Sequence, residues 1–363
     1  MSTRVQKLAK RLPAVAEGVS VDAALISSFP NRLYLSGMKS SAGFVLVTRE
    51  QSYCLVDFRY YEAACKVVTD CEVVLLERLQ DTLGQLIRKH HLNGILLENQ
   101  GISLSEAKRL ERIFAENGAR AVEDPTLDCL LWHLREIKSP EEIRKIRAAQ
   151  EITEAAFTHV LGKIREGVSE QDLALELEFY MRKQGAQGVA FDLIVVAGTK
   201  GSLCHGAPDS HQVQKGDFIT MDIGALLDGY HSDMTRTVAL GKVTPEQEKV
   251  YEIVLQAQQE AISKVKAGVS CGEIDKAARD IIYGAGYEGY FGHSTGHSVG
   301  LEIHEEPHFS IGTETLLCPG MVMTVEPGIY LPGKFGVRIE DMVAVTEDGC
   351  ENLTKAPKEL IVL

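Results

Sequence analysis

Two stretches of this chain repeat each other at long range, and that repeat limits the folds open to it. Gly167-Val168-Ser169 returns as Gly268-Val269-Ser270, an offset of 101 residues. The helical patterns that follow end at Gly185 and Gly286 with the same offset, and Gly188 and Gly289 keep the register. Further on, the segment from Gly216 to Gly224 matches the segment from Gly320 to Gly328 at an offset of 104. Both read Gly, apolar run, Thr, apolar residue, carboxylate, one residue, Gly. Any single match of common residues is unremarkable by chance, but several in one drifting register point to a duplicated half-domain. A solenoid requires a much shorter period. Two halves facing each other about a pseudo-twofold axis bring their equivalent carboxylates together.

Those carboxylates sit in hairpin patterns. Asp222 and Asp233 flank the turn-forming pair Asp228-Gly229, and a hairpin turning there places them nearly opposite each other on one face. Glu326 and Glu340 flank Pro332-Gly333 in the same way, so each hairpin is expected to offer a close pair of acids. Any one of these acids alone reads more simply as an edge-strand or turn residue. Four converging acids repel and raise one another's pKa values, so a positive charge belongs among them. Arg236 and Arg338 are candidates for part of it, and two divalent cations suit the arrangement better.

Histidines cluster near the same place. His293, His297 and His304 fall within twelve glycine-rich residues, and His205 stands at the matching point of the first half. The glycine-rich run lacks the Lys-Ser/Thr of a phosphate-binding loop. His90, His91, His133, His159 and His211 have no such context and read as surface or core positions.

The front of the chain reads as an α/β domain, residues 1–130, with a second domain at 131–363. Strand patterns cover Ala23–Ile26, Gly43–Val47, Tyr53–Phe58, Val73–Leu76 and Gly94–Leu97, and helical ones Thr82–His91 and Ser105–Asn117. Met1–Leu12 is patterned as an amphipathic helix. Ser139-Pro140-Glu141-Glu142 starts a long helix that runs to about Arg165. Nothing in the front domain gathers acid, base and nucleophile, which leaves it a supporting role. The net charge of −13 argues against nucleic acid or an anionic membrane as partner. Eight scattered cysteines without a C-x-x-C pair read as reduced thiols, and no segment has the length of a membrane span. A soluble, cytoplasmic protein is expected.

In these motifs the second half resembles the pita-bread peptidases, the superfamily of methionine aminopeptidase, prolidase and aminopeptidase P. The first half resembles the creatinase-type domain of the prolidase and aminopeptidase P branch, through Asn31-Arg32-Leu33-Tyr34-Leu35-Ser36-Gly37 and Asp57-Phe58-Arg59-Tyr60. The resemblance implies an α/β creatinase-like domain followed by an α+β pita-bread domain. It implies Asp222, Asp233, His297, Glu326 and Glu340 as ligands of two divalent ions, with Asp233 and Glu340 bridging. Mn²⁺ suits oxygen-rich ligation best, with Co²⁺, Fe²⁺ or Zn²⁺ as alternatives. Carried over in the same way, Glu326 is the general base, His304 stabilises the oxyanion, and His205, His293 and Arg338 complete the catalytic set. The substrate implied is a peptide cleaved at its N-terminal bond, with proline second, by a homodimer.

Ser294 and Cys204 depart from the commonest pattern without removing a ligand. His308 departs more tellingly, because many dipeptidases of the family carry there an Arg thought to grip a dipeptide's carboxylate. An imidazole is a poor substitute for a bidentate guanidinium. An aminopeptidase is therefore expected ahead of an Xaa-Pro dipeptidase (prolidase). A metal-free enzyme of the creatinase kind and a non-catalytic scaffold are both disfavoured, because the five ligand positions are all filled.

Overall fold

The computed structural model describes residues 3–363, and contacts divide the chain into two compact units, Met1–Arg135 and Glu136–Leu363. The helix expected over Met1–Leu12 spans Arg4–Arg11, closed at its start by a Thr3/Gln6 capping box. Met1 and Ser2 lie outside the described residues.

The first unit is built on a six-stranded sheet. Its spatial order is Glu72–Leu75, Ser52–Val56, Phe44–Thr48, Ala23–Ile26, Gly94–Leu97 and Arg120–Val122. Leu25, Leu46, Tyr53 and Leu55 pack with Leu83, Leu110 and Phe114 in its core. The strand expected to run to Phe58 stops at Val56. Asp57 caps a helix, Phe58–Val67, by accepting a hydrogen bond from Arg59 N at 2.9 Å. That helix buries only Ala64, and its opening Phe58-Arg59-Tyr60-Tyr61 is rich in the aromatic residues that favour strands. A second helix missed by pattern, Phe29–Ser36, is eight residues long, and the proline near its start reads equally well as a turn.

The second unit carries the repeat. Each half opens with a long helix, Pro140–Leu161 or Pro245–Lys264, started by a capping box with Pro in the first turn. The first ends at Leu161, short of the expected Arg165. A second helix follows, Glu170–Lys183 or Cys271–Gly284, capped by Ser169 or Ser270. Gly167 and Gly268, both at φ 82, donate to Val213 O and Leu317 O, each at 2.9 Å.

Three antiparallel strands follow in the first half: Ile194–Ala197, Phe218–Ile223 and Met234–Ala239. The corresponding sheet of the second half has five strands, in the spatial order Glu305–Phe309, Gly296–Ser298, Val322–Val325, Asp341–Val345 and Cys350–Asn352. Side chains alternate across a strand. Ile219, Met221 and Ile223 therefore pack with Leu177 and Met181 of the helices, while Thr220 and Asp222 point the other way. Met323 and Val325 likewise join Ile274 and Ile282, which leaves Thr324 and Glu326 on the opposite face.

The two hairpins differ in register. In the second, Val325 pairs with Asp341 and Gly328 with Arg338, so Glu326 stands opposite Glu340 as expected. In the first, the turn does fall at Asp228-Gly229, both residues at positive φ, with Leu227 paired to Tyr230. Asp222, however, pairs with Thr235 and not with Asp233. A turn centre displaced by one residue moves the partner by two, which keeps the face and changes the neighbour. Asp233 lies in the break between Tyr230–His231 and Met234–Ala239.

Candidate active site

One cavity of about 570 Å³ in the second unit gathers every residue expected of the site. Asp222, Asp233, His297, Glu326 and Glu340 line it, together with His205, His293, His304, His308 and Arg338. None of the histidines set aside as surface or core positions does so.

His297 is buried between the acids. Its Nδ1 lies 3.1 Å from Ser298 O, and because a carbonyl only accepts, Nδ1 carries the proton. The Nε2 lone pair then faces Glu326 Oε1 at 3.4 Å and Asp233 Oδ2 at 3.6 Å. Burial, reinforced by His304, pushes the His297 pKa down to about 3, so the ring is neutral and its Nε2 lone pair is turned toward the acids. Burial and then mutual repulsion raise Asp233 and Glu340 well above the ordinary carboxylate range, and burial lifts Glu326 to about 7. Donor atoms of Asp233, His297 and Glu340 all lie within 4.8 Å of one another. Asp222 Oδ1 is buried and has no hydrogen-bond partner among the described residues. Converging lone pairs, an orphaned carboxylate oxygen and carboxyls driven toward neutrality fit a divalent cation.

Arg338 is the single Lys or Arg side chain lining the cavity, and each of its three guanidinium nitrogens has a protein partner. Nη2 donates to Asp222 Oδ2 at 2.5 Å, Nε to Thr235 Oγ1 at 3.0 Å, and Nη1 to Tyr330 Oη at 2.8 Å and Cys204 O at 3.2 Å. Thr235 Oγ1 donates in turn to Glu340 Oε2 at 2.7 Å. His293 Nδ1 donates to Ser294 O, so Nε2 accepts from Tyr330 Oη at 2.8 Å. Burial, and then Arg338, lowers the His293 pKa to about 4. Arg236, the other cation proposed to offset the acids, turns away. It donates to Asp341 Oδ1 at 2.8 Å and to backbone carbonyls of Glu340, Ala356 and Pro357.

The model of metallopeptidase family M24 matches residues 144–347, which include every residue that lines the cavity. The chain belongs to that family. Residues 4–137 match the creatinase/prolidase N-terminal domain. This M24 chain is 40% identical to an Xaa-Pro dipeptidase from Bacillus anthracis, over 99% of both chains with a TM-score of 0.93. It is 38% identical to an X-Pro aminopeptidase from Thermotoga maritima, with a TM-score of 0.88 over 94% of this chain and 98% of that one. It is also 37% identical to the Xaa-Pro dipeptidase of Pyrococcus furiosus, over 99% of this chain and all of that protein. The M24 chain is thus a metallopeptidase, with a creatinase-type domain ahead of a pita-bread domain.

Two members of the polar network of this M24 site, Tyr330 and Thr235, are not evident in the sequence. Tyr330 sits mid-strand in Gly328–Leu331, and Thr235 is one of many buried threonines. Register alone could have found Thr235, as the true partner of Asp222. His308 pairs with His297 across the strands Gly296–Ser298 and Glu305–Phe309, their rings 6.1 Å apart, and His304 lies edge-on to His297 at 4.5 Å. All eight cysteines are free, and among the described residues no helix is long and apolar enough to cross a membrane.

Proposed function

We propose that this M24 enzyme is an aminopeptidase that removes the N-terminal residue from peptides with proline second, using two divalent ions, Mn²⁺ first among them. Asp222, Asp233, His297, Glu326 and Glu340 would hold the ions. The observation that carries this is the convergence of the Nε2 lone pair of a neutral, buried His297 with carboxyl oxygens of Asp233, Glu326 and Glu340. Bound there, such ions supply Lewis acidity and lower the pKa of water toward neutrality.

The chain's own residues do the rest. Glu326 takes the proton of the attacking water, and a carboxyl lifted toward neutrality by burial suits a general base. His304, on the open side of His297, donates to the oxygen that gains charge as the tetrahedral carbon forms. His205 serves the departing amine. Arg338 fixes Asp222, Thr235 and Tyr330 at once, and Tyr330 in turn orients His293.

Proline at the second position is supported by the relatives, three of which are named for Xaa-Pro or X-Pro cleavage. Preference for longer peptides is supported by the cavity itself. Every nitrogen of its one guanidinium is already bonded to the protein, and His308 is the alternative partner for a dipeptide's carboxylate. The dipeptidases among the relatives favour a second reading, Xaa-Pro dipeptidase. A cytoplasmic location, supported by eight free thiols, and a homodimer, resting on the family resemblance, belong to the same proposal.

The test compares kcat/KM for a dipeptide Xaa-Pro and the tripeptide that extends it by one residue, both with Mn²⁺ present. The tripeptide is expected to be cleaved faster. Faster dipeptide cleavage would make the enzyme a prolidase, and cleavage of neither would remove proline from the specificity.

A further inference from the structure

A buried ion pair lies outside the ring of cavity-lining residues. The side chains of Lys138 and Glu305 are 2% and 6% exposed, with Nζ 3.1 Å from Oε2. Desolvating an ammonium and a carboxylate is costly unless each finds good partners, and the partners found here lead to the two histidines nearest the candidate metal site.

Lys138 Nζ also donates to Ser298 Oγ at 2.7 Å, and the carbonyl of the same Ser298 holds the Nδ1 proton of His297. The lysine thus reaches His297 through a single residue. On the other side, Glu305 Oε1 accepts from Leu301 N at 2.9 Å and Glu302 N at 3.2 Å. These bonds close the reversal that leads directly into His304. Its geometry is tight: a Cβ on Gly300 would stand 2.6 Å from a Glu305 carboxylate oxygen, so any larger residue there would displace that carboxylate. Gly300 O in turn accepts from His231 N at 2.9 Å. The backbone of Lys138 is fixed as well, its N–H donating to Gly320 O at 2.9 Å.

We infer that Lys138 and Glu305 are positioning residues, a buried brace that sets His297 and His304 for metal binding and turnover. The brace holds one histidine by its carbonyl partner and the other by the turn before it. The inference rests on the proposed metal role of His297, and it is read first through metal affinity so that the two can fail separately.

The experiment titrates Mn²⁺ into metal-free wild type and Lys138→Met by calorimetry, at a temperature where circular dichroism shows both folded. Outer partners of a metal-bound histidine typically contribute about 10–100-fold to affinity or activity. Lys138→Met is expected to bind Mn²⁺ weaker by that factor and, with Mn²⁺ saturating, to lose kcat more than it changes KM. A lysine that serves only the fold would lower Tm and leave both quantities alone, so a folded Lys138→Met with wild-type Mn²⁺ affinity and kcat overturns the inference. Lys138→Met leaves a carboxylate buried without its cation. If it does not fold, Lys138→Met/Glu305→Gln and Ser298→Ala carry the same prediction without stranding a charge, and wild-type Mn²⁺ affinity in both would overturn it equally. If wild type binds Mn²⁺ but cleaves no Xaa-Pro peptide, the proposed specificity falls, and the brace is judged on the titration alone.

Discussion

Arg338 and Asp222 share the cavity asymmetrically: Arg338 Nη2 lies 2.5 Å from Asp222 Oδ2, while Oδ1 is buried without a partner. One oxygen is fixed by the protein and the other is left free for the proposed cation. The pairing gives Asp222 a single orientation before any ion arrives, which is what a metal ligand on a rigid strand requires.

Removing Arg338 tests that arrangement. Arg338→Met strands Asp222 and frees Tyr330 and Thr235, and breaking a buried pair costs about 3–5 kcal/mol. The metal-free variant is expected to lose more Tm than the Mn²⁺-loaded one, because bound cations offset the stranded acids. Thermal melts with and without Mn²⁺ measure the difference. Equal losses would mean that Arg338 does not serve to balance the acids.

Glu326→Gln keeps the shape of the side chain and removes its basicity. General acid–base groups typically contribute about 10²–10⁴-fold, so kcat is expected to fall by that order while the protein stays folded. Steady-state kinetics at saturating Mn²⁺ decide it. A kcat within a few-fold of wild type would reassign the base.

His308 faces the site from the strand paired to His297. His308→Arg introduces a guanidinium suited to a carboxylate. The ratio of dipeptide to tripeptide cleavage is expected to rise, on the order of 10-fold or more, the usual gain from a charge-assisted hydrogen bond. An unchanged ratio would remove His308 from the determinants of substrate length.

The raised carboxyls give the metal-free protein a pH signature. Asp233 and Glu340 are held well above the ordinary range and Glu326 is lifted to about 7, so the folded state binds protons more tightly than the unfolded one. Their stabilising effect is fully present below the unfolded carboxylate range and is lost as pH rises through the folded values. Urea midpoints of the metal-free protein are therefore expected to fall above about pH 7, where His293 and His297 are neutral in folded and unfolded states alike and no longer oppose the acids. With Mn²⁺ present the decline should flatten. A metal-free midpoint that rises over this window would contradict the crowding of acids described above.

The sequence made the duplicated half-domain visible because its marks are local: a Ser cap, a glycine at positive φ and a Gly-to-Gly strand, each recurring at one offset. The four acids were legible for the same reason, since hairpin faces follow from a two-residue period. Register was less secure. The partner of Asp222 is Thr235 because the turn centre lies one residue from where symmetry about the two acids would put it. Partners far apart in sequence left no local mark at all. Tyr330 reaches His293, and Lys138 reaches Ser298, only after the halves fold together. The helix Phe58–Val67 is hard to read because its aromatic start suits the end of a strand equally well.

The most direct test of the whole account is to count ions and turnover together. Chelator-treated protein would be titrated with Mn²⁺ while bound metal and cleavage of an Xaa-Pro-Xaa peptide are followed in the same samples. The account predicts no turnover without metal, activity that returns as Mn²⁺ binds, and about two ions per chain at saturation. Full turnover by protein shown to be free of metal would contradict it.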